Sequence, residues 1–196
     1  MPVPGFDIHG VIPAFTGVDP VDGGSAALSP YVATPTEIVN ALGTSIKRRE
    51  ILAKWLDHRA QLRALGMTGF QWLDGSFVEK KTPHDLDVVS FLRRPPGAKS
   101  DVELLALLGQ NPQTFNHAAL KASHQLDAYF VDMDGSAETI VEASRYFCGL
   151  FSHRRNDYLW KGMLKAHLKA DSMDDELAVI ELENVSAMAV ASGATE

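Results

Sequence analysis

Apolar positions recur at helical spacing between residues 46 and 65: Ile46, Ile51, Leu52, Trp55, Leu56, Leu62 and Leu65 share one face, and Gly66 ends the run. This spacing predicts a helix, with Thr44 as its cap. A shorter helix precedes it, because Thr34-Pro35-Thr36-Glu37 joins an N-cap, a first-turn proline and a capping-box glutamate, and Gly43 follows Leu42 as a stop. The pattern then shortens its period. Residues 70 to 73 and 86 to 92 read as strands, separated by the Asp74-Gly75-Ser76 turn and closed by Pro95-Pro96-Gly97. Ser100 and Glu103 form a second capping-box pair ahead of a helix that Gly109 closes. Residues 125 to 131 give a third strand, 136 to 151 a helix, 162 to 168 a strand and 174 to 188 a C-terminal helix. Residues 1 to 33 hold five of the ten prolines and five of the fifteen glycines, and read as an irregular arm. The whole is an α/β (α+β) domain over residues 34 to 196. It has a small mixed sheet with flanking helices, a core at 67 to 135, and a basic, helical C-terminal segment at 136 to 196.

Composition narrows the function classes. With 196 residues, 45% of them hydrophobic, the chain can bury a core, and its longest apolar runs fall far short of the roughly 18 residues needed to span a bilayer. The first 46 residues carry no Lys or Arg, unlike a secretory signal, and the single Cys148 cannot make an internal disulfide. A cytoplasmic location without membrane partners is expected. No zinc-spaced Cys or His cluster, no G-x-x-x-x-G-K-[ST] loop and no G-x-S-x-G elbow is present. A net charge of −7 argues against coating nucleic acid through a global field. Locally the sign reverses: Arg145, Arg154, Arg155, Lys161, Lys165 and Lys169 face one acid, Asp157, between residues 145 and 169.

The candidate chemistry lies between Trp72 and Asp127. Gly75-Ser76 supplies a small-residue turn whose backbone amides can hold a phosphate. Asp85-Leu86-Asp87 follows at the head of an apolar run. On a strand these two carboxylates project from one face, about 6.6 Å apart along the chain, within reach of the same divalent cations. Asp127, in Leu126-Asp127-Ala128, sits in a second apolar strand where an unpaired carboxylate is costly. A metal, a lysine or backbone amides must neutralise it. Taken together, the turn, the paired acids and the third acid suggest metal-dependent nucleotidyl transfer.

These residues resemble the motif of the nucleotidyltransferase superfamily related to polymerase beta, h-G-[GS], D-h-[DE]-h and h-[DE]-h. Here it reads Asp74-Gly75-Ser76, Asp85-Leu86-Asp87-Val88 and Leu126-Asp127-Ala128. The W-L-D-G-S-F and D-L-D-V-V blocks, with the late K-G-M-L-K, are also similar to small bacterial nucleotidyltransferase-like proteins over most of residues 34 to 169. The resemblance implies a nucleotidyltransferase-like fold and an enzyme moving a nucleoside monophosphate from an NTP such as ATP, with Mg²⁺ or Mn²⁺. Asp85, Asp87 and Asp127 would be catalytic and metal-binding, and Gly75 and Ser76 would bind the β- and γ-phosphates. It leaves the acceptor open among an RNA end, a protein and a small molecule, and a toxin-antitoxin or phage-defence setting with a partner protein is one expectation. The other reading is a nucleotide- or partner-binding module whose active site is latent until a partner arrives.

Several basic residues complete the picture. Lys161 and Lys165 flank a strand-like run and are candidate nucleotide contacts. Lys80, Lys81, Arg154 and Arg155 either meet the triphosphate or decorate loops. Lys47, Arg48, Arg49, Lys54, His58 and Arg59 make a basic helix face, read as solvated or, alternatively, as an RNA surface.

Overall fold

The computed structural model describes residues 3–17 and 27–191; the arm's residues 1, 2 and 18–26, and 192–196, lie outside the described residues. Within the arm, Tyr31–Val32 forms β1. Helix α1, Pro35–Leu42, starts as its sequence requires: Thr34 accepts from the Glu37 amide, and Glu37 accepts from the Thr34 amide at 2.8 Å. Helix α2, Ile46–Ala64, is capped by Ser45, not Thr44. Ser45 has the extended backbone that lets its side chain accept from the Arg48 amide, one residue later than expected.

Four further strands follow: β2 Thr68–Asp74, β3 Leu86–Arg93, β4 Leu126–Asp132 and β5 Leu164–Leu168. With β1 they make one mixed sheet in the order β1-β5-β2-β3-β4. Pairing is antiparallel for β2 with β3 and β5, and parallel for β3 with β4 and β1 with β5. Helix α3, Asp101–Gln110, runs past Gly109 to an Asn111 cap. Two short helices that the pattern does not predict come next, α4 Pro112–Phe115 and α5 His117–His124. Helices α6, Ala137–Phe151, and α7, Met173–Ala191, complete the fold. The expected α/β architecture, a small mixed sheet flanked by helices, is the one observed.

Strand alternation divides the core. Leu73, Leu86, Val88, Leu126, Ala128, Leu164 and Ala166 pack under α1, α2 and α7 together with Ile51, Leu52, Trp55 and Leu182. On the opposite face, Trp72, Val89, Phe91 and Val131 meet Phe147 and Phe151 of α6. Each large side chain so buried contributes about 1.5–3 kcal/mol.

The basic face expected on α2 is the main correction. Arg48, His58 and Arg59 are only 4%, 0% and 1% exposed. Different elements cover the three: the loop after Gly75 takes Arg48, His58 Nε2 lies 3.1 Å from the Thr114 carbonyl, and Asp175 of α7 takes both Arg59 Nε (2.9 Å) and Nη2 (2.8 Å). Arg59 also donates to the His167 carbonyl and to Gln71 Oε1, while Trp55 Nε1 donates to the same oxygen and Gln71 Nε2 to Ser90 Oγ. A buried guanidinium with all three nitrogens hydrogen-bonded ties α2, α7 and the sheet together. Among the described residues, no helix is long and apolar enough to cross a membrane.

Candidate active site

Strand register builds the site. Asp74 pairs with Asp87 across β2 and β3, and Asp87 with Asp127 across β3 and β4. The three aspartates therefore form one row at the end of the sheet, on the face that carries Trp72, Val89 and Tyr129 further along. Asp85 lies two residues before Asp87, on the same side by alternation.

Directly after β2 the chain turns into a short 3₁₀ segment, Gly75–Val78. Gly75 has φ +75°, and a Cβ there would lie 1.6 Å from Asp87 Oδ2. Only glycine meets both conditions, so the turn is shaped around the carboxylate. Arg48 holds the rest of the loop from beneath, donating to the carbonyls of Phe77 (2.8 Å), Lys81 (2.9 Å) and Glu79.

A cleft of about 300 Å³ opens over this row. Its acids are Asp74, Glu79, Asp85, Asp87 and Asp127, and its cations are Lys81, Lys121, Arg154, Arg155 and Lys161; Gly75 and Ser76 lie in its wall. Asp85, Asp87, Asp127, Gly75, Ser76, Lys161, Lys81, Arg154 and Arg155 thus converge there, whereas Lys165 and the exposed Lys80 do not. Lys165 sits on β5 opposite Trp72, with its ammonium 4.1 Å from the centroid of the Phe70 ring. Of the basic segment, Arg154, Arg155 and Lys161 reach the cleft. Arg154 is bound to Asp157 and to the His9 carbonyl (3.2 Å), whereas Arg155 is exposed.

The family comparison fits this span. DUF6932, a family of unknown function, matches residues 4–167. The chain belongs to the DUF6932 family. Neither the curated proteins nor the solved structures give a match. The DUF6932 span contains every cleft residue and stops before α7, so the helix that seals Arg59 lies beyond it.

The electrostatics of this DUF6932 cleft separate its acids into three states. Asp74 is sealed: Lys161 Nζ lies 2.9 Å from its Oδ2 and 3.1 Å from the Gly75 carbonyl, with the lysine only 3% exposed. Burial raises the Asp74 carboxyl, with Lys161 pulling the other way. Asp87 is frustrated: burial, then the charges of Asp85 and Asp127, push it up to about 6. Asp127 is satisfied. Burial pushes it up, but hydrogen bonds from Lys121 Nζ (2.8 Å) and His117 Nε2 (2.6 Å) outweigh that and hold it below the ordinary carboxylate range.

Lys121, His117, Glu79 and the Asp74–Lys161 pair are site features that the sequence reading missed. Asn116 does cap α5 by accepting from the Ala119 amide, so an Asn followed by H-A-A-L-K-A-S-H was the available signal for the first two.

The all-oxygen set of Asp85, Asp87 and Asp127 suits a hard divalent cation. An ammonium already stands on it: Lys121 Nζ lies 3.4 Å from Asp85 Oδ2 as well as on Asp127. Among the described residues no three such ligands are gathered ready to hold an ion. Asp127 is turned to its helix partners instead, so an ion there has to displace Lys121.

Proposed function

We propose that this DUF6932 protein transfers a nucleoside monophosphate from an NTP to an acceptor hydroxyl or similar group and releases pyrophosphate. The observation that carries this reading is the convergence in one cleft of Asp85, Asp87 and Asp127 with the Gly75-Ser76 turn moulded on Asp87. Burial and then the charges of Asp85 and Asp127 raise Asp87, and a cation would relieve that uncompensated charge, so Asp85, Asp87 and Asp127 would hold Mg²⁺ or Mn²⁺. When bound, the ion supplies charge neutralisation of the triphosphate and a lowered pKa for the attacking hydroxyl.

The chain's own residues do the rest. Gly75 and Ser76 face the phosphates, and Arg155 adds positive charge to the same wall. Lys161 neutralises Asp74 and so keeps the floor of the cleft rigid. The acceptor oxygen bonds to the α-phosphorus as the bond to the β-phosphate oxygen breaks, and Asp127 orients the acceptor and receives its proton. Rate enhancement comes from positioning and charge balance, without a covalent intermediate.

The test is to incubate the protein with each α-labelled NTP, Mg²⁺ and fractionated bacterial lysate, beside an Asp85→Ala/Asp87→Ala control. Label in RNA, protein or small molecules that vanishes in the control supports transfer and names the acceptor class. The grip of His117 and Lys121 on Asp127 favours a second reading, a nucleotide-binding module whose site completes only with a partner. Mg²⁺-dependent NTP binding with no labelled product would select it.

A further inference from the structure

Helix α5 carries two side chains, an imidazole and an ammonium, that the proposed chemistry does not require. His117 and Lys121 are four residues apart and so share one face. Each takes a different oxygen of Asp127, His117 Nε2 at 2.6 Å from Oδ1 and Lys121 Nζ at 2.8 Å from Oδ2. The Lys121 ammonium also lies 3.4 Å from Asp85 Oδ2, so it stands between a carboxylate on β4 and one just ahead of β3. A divalent ion binding that edge must take its place.

Three lysines of the cleft stand on carboxylates, Lys81 on Glu79, Lys121 on Asp127 and Lys161 on Asp74, and they are not equivalent. Lys161 is 3% exposed and locked between Asp74 and the Gly75 carbonyl, a structural pair. Lys121 is 48% exposed, on a flexible four-carbon stem, and can leave the 17%-exposed Asp127 once another cation takes its place there. Once it leaves, a positive group on a long tether beside the cleft has one kind of partner of sufficient charge, a polyphosphate lying against the Gly75-Ser76 turn.

Resting on the nucleotidyl-transfer reading, we propose that Lys121 is a tethered counter-cation that occupies the Asp85–Asp127 edge of the cleft, competes there with the divalent ion, and moves onto the phosphates of an incoming nucleoside triphosphate. The carboxylates are thereby kept from repelling one another before substrate arrives. Metal and nucleotide then bind with positive coupling, because each removes an obstacle to the other.

The experiment is Mn²⁺ binding to the full chain, followed by electron paramagnetic resonance, alone and with an α,β-methylene NTP that cannot transfer. Lys121→Gln is expected to tighten Mn²⁺ binding in the absence of nucleotide by about tenfold, the order set by removing one partly screened charge. It should reduce by a similar factor the extra tightening that the nucleotide brings. Lys121→Arg, which keeps the charge, should behave as wild type, and near-UV circular dichroism establishes that both variants are folded. An unchanged or weaker Mn²⁺ affinity in folded Lys121→Gln, with wild-type binding intact, overturns the role given to Lys121 and leaves the site reading standing. Mn²⁺ binding to neither protein, with or without nucleotide, overturns the metal reading of the cleft and this inference with it.

Discussion

Replacing Asp87 with Asn should make the metal-free protein more stable, not less. In the fold the Asp87 carboxyl is held at about 6 against an ordinary 3.8, first by burial and then by Asp85 and Asp127. The sign follows from linkage. The unfolded chain gives up this proton near 3.8 and the folded chain near 6, so the contribution of Asp87 to stability is most favourable at low pH, falls between those values, and stays reduced above them. At about 1.4 kcal/mol per pH unit the penalty carried at pH 8 is about 3 kcal/mol. Asp87→Asn keeps the shape and removes the charge, so it should recover most of that amount at pH 8. For a chain of this length the gain corresponds to roughly 6–12 °C in Tm. Urea denaturation of both proteins in chelator at pH 8, 6 and 4.5 measures it, and the difference should shrink steadily as pH falls. Millimolar Mg²⁺ should then raise the wild-type midpoint more than that of the variant, since the ion relieves what the substitution has already removed. A variant no more stable than wild type at pH 8, or a gain indifferent to pH, would refute the view that Asp87 carries an uncompensated buried charge beside Asp85 and Asp127.

Three further outcomes follow from the same geometry. Gly75→Ala forces a Cβ against Asp87 at a φ of +75°, so it should cost about 1–3 kcal/mol of stability and weaken Mn²⁺ binding; wild-type metal affinity in the folded variant would show that the turn is not moulded on Asp87. Lys161→Met leaves Asp74 buried without its partner and should cost about 3–5 kcal/mol, with Asp74→Asn restoring much of it in the double variant, read by a denaturation cycle. His58 is driven down to about 4 by burial, so stability intact above pH 6.5 is lost as pH falls towards 4, by about 3 kcal/mol. Replacing His58 with Phe should flatten that part of the urea-midpoint profile, and an unchanged slope would show that His58 does not titrate with unfolding.

How much of this was legible in the sequence depends on the range of the cause. Local causes read well. The capping boxes at Thr34 and Ser100 form as expected because donor and acceptor lie three residues apart. Asp85, Asp87 and Asp127 could be placed together because strand alternation and an intervening parallel crossover leave few other arrangements. Where two neighbours compete for one task, as Thr44 and Ser45 do for the α2 cap, backbone conformation decides, and the sequence holds no sign of it. Helices α4 and α5 were missed because four and eight residues give too little periodicity to see, and with α5 went Lys121 and His117.

The buried arginines mark the other limit, and they bear on function. By composition, the polar face of α2 belongs in solvent; what takes it inside is Asp175, more than a hundred residues later, together with carbonyls of the loop that follows Gly75. Arg48 and Arg59 therefore act at opposite ends of one helix. Arg59 fastens α2 to α7 and β5, and Arg48 uses the helix so fixed as a platform for the Phe77, Glu79 and Lys81 carbonyls. Because that loop begins at the Gly75-Ser76 turn, the wall of the cleft is anchored to a buried helix that contributes no side chain to the chemistry. A charged face that reads as solvated, or alternatively as an RNA surface, thus serves to hold the wall rigid, and the exposed positive groups beside the cleft are Lys81, Arg155 and the movable Lys121.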